Sequence, residues 1–380
     1  MSNPLLTIHQ QAQAEFQDYA QIEIVSTFGE PAAEYAAIRK STALLDLPQR
    51  GFLQLTGRDR LPFLNNLLTN QTYDKQAKTL MAAGHGVYAF LLNAKSGRII
   101  ADMNVLELGE RTILEMDSRI LATVRAELDK YLFGEQVKMT DQTEALHQIS
   151  LHGPGAESLL SKVLGNEMAK LQPTENWQTQ ILGAPAIIWR DDPASVPGYQ
   201  LIIPAESARA VWMQLIAQFG AATDIGKRAL RPAGWAAFNA ARIEGGRPIF
   251  GIDFDETTLP AETAQLERAV SFTKGCYPGQ EIVARMHARQ QVAKQLVGIR
   301  FSDDALPVAG SPIQDDSSNI VGGITSSTIS PVLSNIAIAI GLVRKQFVPV
   351  GTVLSVPAEG KMRRGVVCPL PFIPNTSEKA

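Results

Sequence analysis

Two cysteines in 380 residues, Cys276 and Cys368, leave no material for a disulfide scaffold and cannot supply the four thiolates of an ordinary iron-sulfur cluster. No paired-cysteine spacing and no His-x-x-x-His pair occurs among the five histidines, so no metal site is expected. No stretch approaches the ~20 apolar residues of a membrane-spanning helix. Met1 to Asp18 has neither the basic start nor the continuous apolar segment of a signal peptide. A formal charge of -3 gives no global attraction to nucleic acid or to anionic lipid. There is no Gly-x-Ser-x-Gly elbow for a hydrolytic triad, and Gly153-Pro154-Gly155 lacks the third glycine of a dinucleotide-binding turn. The expectation is a cytoplasmic protein in reducing surroundings, with neither nucleic acid nor membrane as partner.

What is present is a globular composition, 45% hydrophobic and 19% charged, long enough for two or three domains. Apolar spacing predicts a helix over Tyr35 to Leu45 and an alternating strand over Gly51 to Leu55. A helix is expected over Arg60 to Leu68, and a hairpin of Val87 to Leu92 with Arg98 to Leu108 around the turn-rich loop Asn93 to Gly97. A further helix follows at Ser118 to Leu132. A second unit is read from strands at Leu146 to His152, Pro185 to Trp189 and Tyr199 to Pro204, with helices at Ala156 to Leu164 and Ser207 to Phe219. After Arg289 short strands at Gln295 to Phe301, Ile320 to Ser326, Ile336 to Val343 and Thr352 to Val356 alternate with turn clusters, as in a small barrel or sandwich. The fold class is therefore α+β: two α+β lobes over 1–290, about 1–142 and 143–290, and a β-domain over 291–380.

The run Lys274-Gly275-Cys276-Tyr277-Pro278-Gly279-Gln280-Glu281, continuing to Arg285, carries the densest chemistry. An ammonium beside a thiol favours the reactive thiolate. Pro278-Gly279 suits the centre of a type II turn, which places the thiol on a tight bend. From Gln280 a helix is expected, with Glu281 four residues ahead of Arg285, the favourable order for an ion pair. Nucleophile, metal ligand and small buried hydrophobe all remain open for Cys276.

Asp102 interrupts the apolar strand Ile99-Ile100-Ala101-Asp102-Met103, so it either answers a ligand rich in N–H groups or is satisfied by backbone donors. Arg242 and Glu244 stand two apart and would share one face of an extended strand, as ligand contacts or as a structural ion pair.

These stretches, together with Gly51 to Arg60, Leu68-Thr69-Asn70, Leu91 to Arg98 and Arg242 to Gly246, resemble the YgfZ/glycine-cleavage T-protein family of tetrahydrofolate-binding proteins. The Lys-Gly-Cys-Tyr-x-Gly-Gln-Glu core is similar to the YgfZ branch, which supports iron-sulfur protein maturation. The resemblance covers residues 30–360 and implies two α+β lobes that exchange segments, a C-terminal barrel and a central cavity for tetrahydrofolate. It implies that Asn70, Asp102, Arg242 and Glu244 line or support that cavity. It also implies that the cysteine motif, with Lys274, Cys276, Tyr277, Gln280, Glu281 and Arg285, lies at its rim. Departures from the aminomethyltransferases point the same way: one acid in Ala101-Asp102 where they have two, Ala194 to Gln200 where they carry two glutamates, and Ala237-Phe238-Asn239 where they carry Ala-Arg-Asp. The expectation is a folate-binding protein that serves iron-sulfur clients or assembly factors through Cys276 tuned by Lys274. The alternative is a tetrahydrofolate-dependent aminomethyl- or methyltransferase acting through Asp102.

Overall fold

The computed structural model describes residues 3–165, 170–222, 227–289 and 292–376. Two sheets and one closed barrel carry the architecture. The five-stranded sheet runs Lys138–Asp141, Arg50–Thr56, Arg111–Asp117, Ile99–Glu107, Gly86–Leu92, all antiparallel. The six-stranded sheet runs Asn176–Ile181, Ala184–Arg190, Gly198–Pro204, Leu146–His152, Ala43–Asp46, Arg231–Pro232.

Strand periodicity explains what each face does, because successive side chains point to opposite sides of a sheet. In the five-stranded sheet Leu53, Leu55, Ala89, Leu91, Ala101, Met103, Val105, Leu114 and Met116 bury one face against Phe63, Leu64, Leu121 and Val124 of the helices Arg60–Leu67 and Leu121–Asp129. The other face carries the cross-strand row Tyr88, Asn104, Glu115, Phe52. In the six-stranded sheet Ile149, Leu151, Ile188, Tyr199 and Leu201 pack on the helices Ala156–Val163 and Ala205–Phe219. Its opposite face carries the row Trp189, Gln200, Ser150, Leu45. The two polar-bearing faces meet, and an apolar seam of Phe52, Leu106, Ile113, Ile187, Trp189 and Ile202 closes one end of the space between them. Asn104, Glu115, Gln148 and Gln200, beside that seam, are left facing a cavity.

The helix expected over Tyr35 to Leu45 is Pro31–Lys40, and Ala43–Asp46 is a strand. All four strand residues are buried, so its side chains read as a continuous apolar run that spacing does not separate from the helix before it. This segment from the first part of the chain is the fifth strand of the six-stranded sheet, between Leu146–His152 and Arg231–Pro232.

The barrel closes in the order Lys294–Phe301, Ile336–Arg344, Ile320–Ser330, Pro312–Gln314, Val353–Ala358, Lys361–Cys368. The boundary expected at 290/291 lies outside the described residues. No helix among the described residues is long and apolar enough to cross a membrane.

Candidate functional site

Arg242 and Glu244 lie on the helix Trp235–Glu244, not on the strand expected from their spacing. Two residues apart on a helix is about 200°, so they point to different sides. Arg242, 1% exposed, reaches Asp253, Ser326 Oγ at 2.6 Å and Asn239 Oδ1 at 2.9 Å. Glu244, 0% exposed, accepts from Tyr35 Oη at 2.8 Å, from Arg39 and from Ser330 Oγ. Ser326 and Ser330 belong to the barrel strand Ile320–Ser330, so both residues anchor the barrel to this helix. Arg242 also lines the cavity, whereas Glu244 does not.

The cavity encloses about 810 Å³ of free space, counting its mouth and the open solvent there. One wall is the sheet row already described, with Tyr88, Asp102, Asn104, Glu115 and Arg50; the facing wall has Gln148, His152, Trp189 and Gln200. Trp235, Phe238, Arg242, Arg247 and Arg268 close the side. Tyr19, Trp235, Phe238 and His152 follow one another at ring separations of 5.9, 6.0 and 5.3 Å, which makes an aromatic strip.

Asp102 is half-buried and accepts a 2.8 Å hydrogen bond from Tyr88 Oη. Burial lifts its carboxyl above the ordinary value, while the Arg50 guanidinium and the Tyr88 hydroxyl oppose that lift. Arg268 stacks over the Tyr88 ring at 3.9 Å and, with Arg247, pairs with Asp191 at 3.2 and 3.0 Å. Burial would raise Asp191, but these two guanidiniums hold it below the usual carboxylate range. His152 is pushed down to about 4 by burial, so its ring is neutral at physiological pH. Glu115 is bonded to Arg50 and, at 2.8 Å, to Asn104 Nδ2.

Buried polar atoms normally find partners. Here Gln49 Oε1, Asn104 Oδ1, Gln148 Oε1, His152 Nδ1 and Trp189 Nε1 are buried without one, and all five residues line this cavity. Orphaned hydrogen-bonding atoms, aromatic faces and cations together fit a polar heterocycle with an anionic tail, which is the character of a folate.

The sequence singled out Asp102 and Arg242 from this lining but not Tyr88, Asn104, Glu115, Gln148, Gln200, Arg247 or Arg268. For Asn104 and Glu115 the signal was there: like Asp102, each is a polar residue between apolar neighbours of a strand. Arg247 lies in an irregular segment and Arg268 on the short helix Leu266–Ala269, and only the fold brings them in. Asn70 sits behind the wall, its Nδ2 donating to the carbonyls of Tyr88 at 2.9 Å and Arg268 at 3.0 Å.

The cysteine motif contributes no residue to the cavity lining. Gly279, at φ +81°, makes the turn that Pro278-Gly279 predicts, and its α-carbon side lies against Asn93 and Gly97 of the hairpin loop. A side chain on Gly97 would begin 2.9 Å from Ile282. The helix Gln280–Arg289 follows, and Tyr277 and Val283 are buried with Leu92 and Ile99. Gln280 gives its N–H to the Tyr277 carbonyl. Glu281 and Arg285 are exposed, and no ion pair joins them among the described residues. The reason is packing: Val283 turns inward and leaves both charges hydrated at the surface, where an exposed pair gains little.

Lys274 does not reach out toward the thiol. Its Nζ donates to the carbonyls of Asn65 and Leu68 at the end of the helix Arg60–Leu67 and lies 4.7 Å from the Tyr277 ring centre. Burial, helped by Lys75, pushes its ammonium down to about 7. The cation beside the bend is instead Lys75, whose Cδ, Cε and Nζ lie 3.2–3.4 Å from where a side chain on Gly275 would begin. Cys276 is exposed, whereas burial raises the Cys368 thiol to about 11. Ellman's reagent at pH 8 should therefore titrate one fast thiol per native chain, lost in Cys276→Ala and kept in Cys368→Ala; two equally fast thiols would contradict this placement.

A chamber between two sheets, sealed by a helix and buttressed by a barrel, defines a ligand-holding α+β protein with a separate surface thiol. Residues 5–274 match the GCVT N-terminal domain and residues 294–373 the glycine cleavage T-protein C-terminal barrel domain. The chain belongs to the glycine cleavage T-protein family, which uses tetrahydrofolate as substrate or cofactor. Its relatives include the aminomethyltransferase of Thermosynechococcus vestitus, 28% identical over 97% of this chain and 94% of that one. That of Chlorobium chlorochromatii is 27% identical over 98% of each. The crystal structure of aminomethyltransferase T from Bartonella henselae has the same fold, with a TM-score of 0.85 and 23% identity over 97% of both chains.

Proposed function

We propose that the central cavity holds tetrahydrofolate and that the chain transfers a one-carbon unit, as aminomethyl, with Asp102 facing the nitrogen that accepts it. The observation that carries this is Asp102 itself: an acid on the cavity face of a buried strand, oriented by Tyr88, in a cavity whose lining residues carry orphaned hydrogen-bonding atoms. When bound, tetrahydrofolate would supply the secondary amines that accept the carbon. Asp102 would accept the proton that the attacking nitrogen loses, while the donor's amine leaves as ammonia and its carrier atom keeps the electron pair of the broken bond to carbon. Arg247 and Arg268 stand at the cavity side as cations for an anionic tail, and Trp235 and Phe238 offer ring faces.

Two apparent losses weigh less in three dimensions than in sequence. Ala101, where the transferases have a second aspartate, points into the apolar core on the opposite face of the sheet, so the retained acid is the one at the cavity. Gln200, at the position of a lost glutamate, still lines the cavity and pairs with Gln148 at 2.9 Å. Phe238 does replace a cation by an aromatic face.

A second reading is favoured by Cys276. Its exposure on a glycine-docked bend, away from the cavity, suits the YgfZ-like role in iron-sulfur assembly or repair, with client proteins supplying the remaining ligands. Conversion of tetrahydrofolate to its methylene derivative from an aminomethyl donor separates the two. Transfer lost in Asp102→Asn and kept in Cys276→Ala supports the first reading. No transfer by the wild type, with iron-sulfur enzyme activity dependent on Cys276 in cells, sinks it in favour of the second.

A further inference from the structure

On the reading that the cavity holds tetrahydrofolate, we infer that Asn104 is the residue that tells the reduced pterin ring from the oxidised one. A carboxylate only accepts hydrogen bonds. Glu115 takes one on Oε1 from Arg50 Nε and one on Oε2 from Asn104 Nδ2, the latter at 2.8 Å. With its NH₂ end held against a charge, the Asn104 amide cannot turn over, so Oδ1 is fixed as an acceptor. That oxygen is buried and has no partner in the protein. Gln148 differs, since it pairs with the amide of Gln200 and the two can reverse roles together.

Asn104 stands two residues from Asp102 on the same face of the strand Ile99–Glu107, about 7 Å along it. Acceptors about that far apart can bracket one ring, with Asp102 at the nitrogen that accepts the carbon and Asn104 at the other nitrogen of the same ring. A tetrahydropterin carries N–H at positions 5 and 8, whereas the fully oxidised ring has bare nitrogens there, which are acceptors. A reduced ring can satisfy Oδ1. An oxidised ring sets acceptor against acceptor and leaves both buried atoms without a hydrogen, which is the situation that rejects an analogue most strongly. The Arg50–Glu115–Asn104 chain thus acts as a gauge of ring oxidation state, with Glu115 and Arg50 as positioning residues.

Calorimetric titration with tetrahydrofolate and with folic acid tests this. The wild type should bind the reduced form about tenfold or more tightly. In Asn104→Leu the ratio should collapse to within about threefold, chiefly through lost affinity for tetrahydrofolate. Glu115→Gln releases the amide to turn and should narrow the ratio as well, with thermal melts confirming that both variants fold. A wild-type ratio near one, or a ratio unchanged in both folded variants, overturns the assignment. Binding of neither ligand by the wild type overturns the folate reading itself, and the assignment with it.

Discussion

Asp102→Asn should lower turnover of tetrahydrofolate to its methylene derivative by about 10²- to 10⁴-fold, the usual contribution of a positioned proton acceptor. Asparagine keeps the shape and keeps an oxygen to accept from Tyr88, so the tetrahydrofolate affinity should change by less than about tenfold. The same variant should melt higher than the wild type. Burial holds the folded-state carboxyl of Asp102 above its unfolded value, so its ionised form is a burden on the fold. The stability it contributes is present at low pH and lost as pH rises through the raised value. Removing the charge recovers that loss at neutral pH, by about 1 kcal/mol on the usual scale of active-site trade-offs. Scanning calorimetry across pH checks the sign: the variant's advantage must grow from acid to neutral pH. Lower stability at neutral pH, or unchanged turnover, would remove Asp102 from the reacting centre.

Glu244→Ala should give the largest loss of stability. It strips the acceptors from Tyr35, Arg39 and Ser330 at once and leaves the Arg39 guanidinium, 7% exposed, facing a void. Breaking one side of a buried ion pair costs about 3–5 kcal/mol, which for a chain of this size lowers the melting temperature by roughly 5 °C. Glu244→Gln, which keeps one acceptor, should lose less. Below its melt, Glu244→Ala should bind tetrahydrofolate as the wild type does, because Glu244 is absent from the cavity lining. Weakened binding with an unchanged melt would restore it as a ligand contact.

Much of the fold was readable because its strands alternate. Leu146 to His152 is expected and observed with the same limits, and four of the six barrel strands fall where turn clusters place them. The strand Ala43–Asp46 was hidden because both its faces are covered, which removes alternation as a signal. Asp102 stood out as an acid among aliphatic residues, and the same rule applied to Glu115 and Asn104 finds the rest of that wall. The opposite failure concerns Lys274. Adjacency in sequence pairs it with Cys276, but a chain bend turns the two side chains apart and sends the ammonium to the carbonyl end of a helix. Lys75, about two hundred residues earlier, takes the place beside Gly275. Spacing reports neighbours along an element and says little about residues on either side of a turn.

Titration of the wild-type chain with tetrahydrofolate, followed by calorimetry and by the fluorescence of Trp189 and Trp235 in the cavity wall, tests the central claim most directly. One saturable site per chain is expected, with a fluorescence change that is lost when both tryptophans are replaced by phenylalanine although the heat remains. Absence of heat, together with unchanged fluorescence and melting temperature, would contradict it.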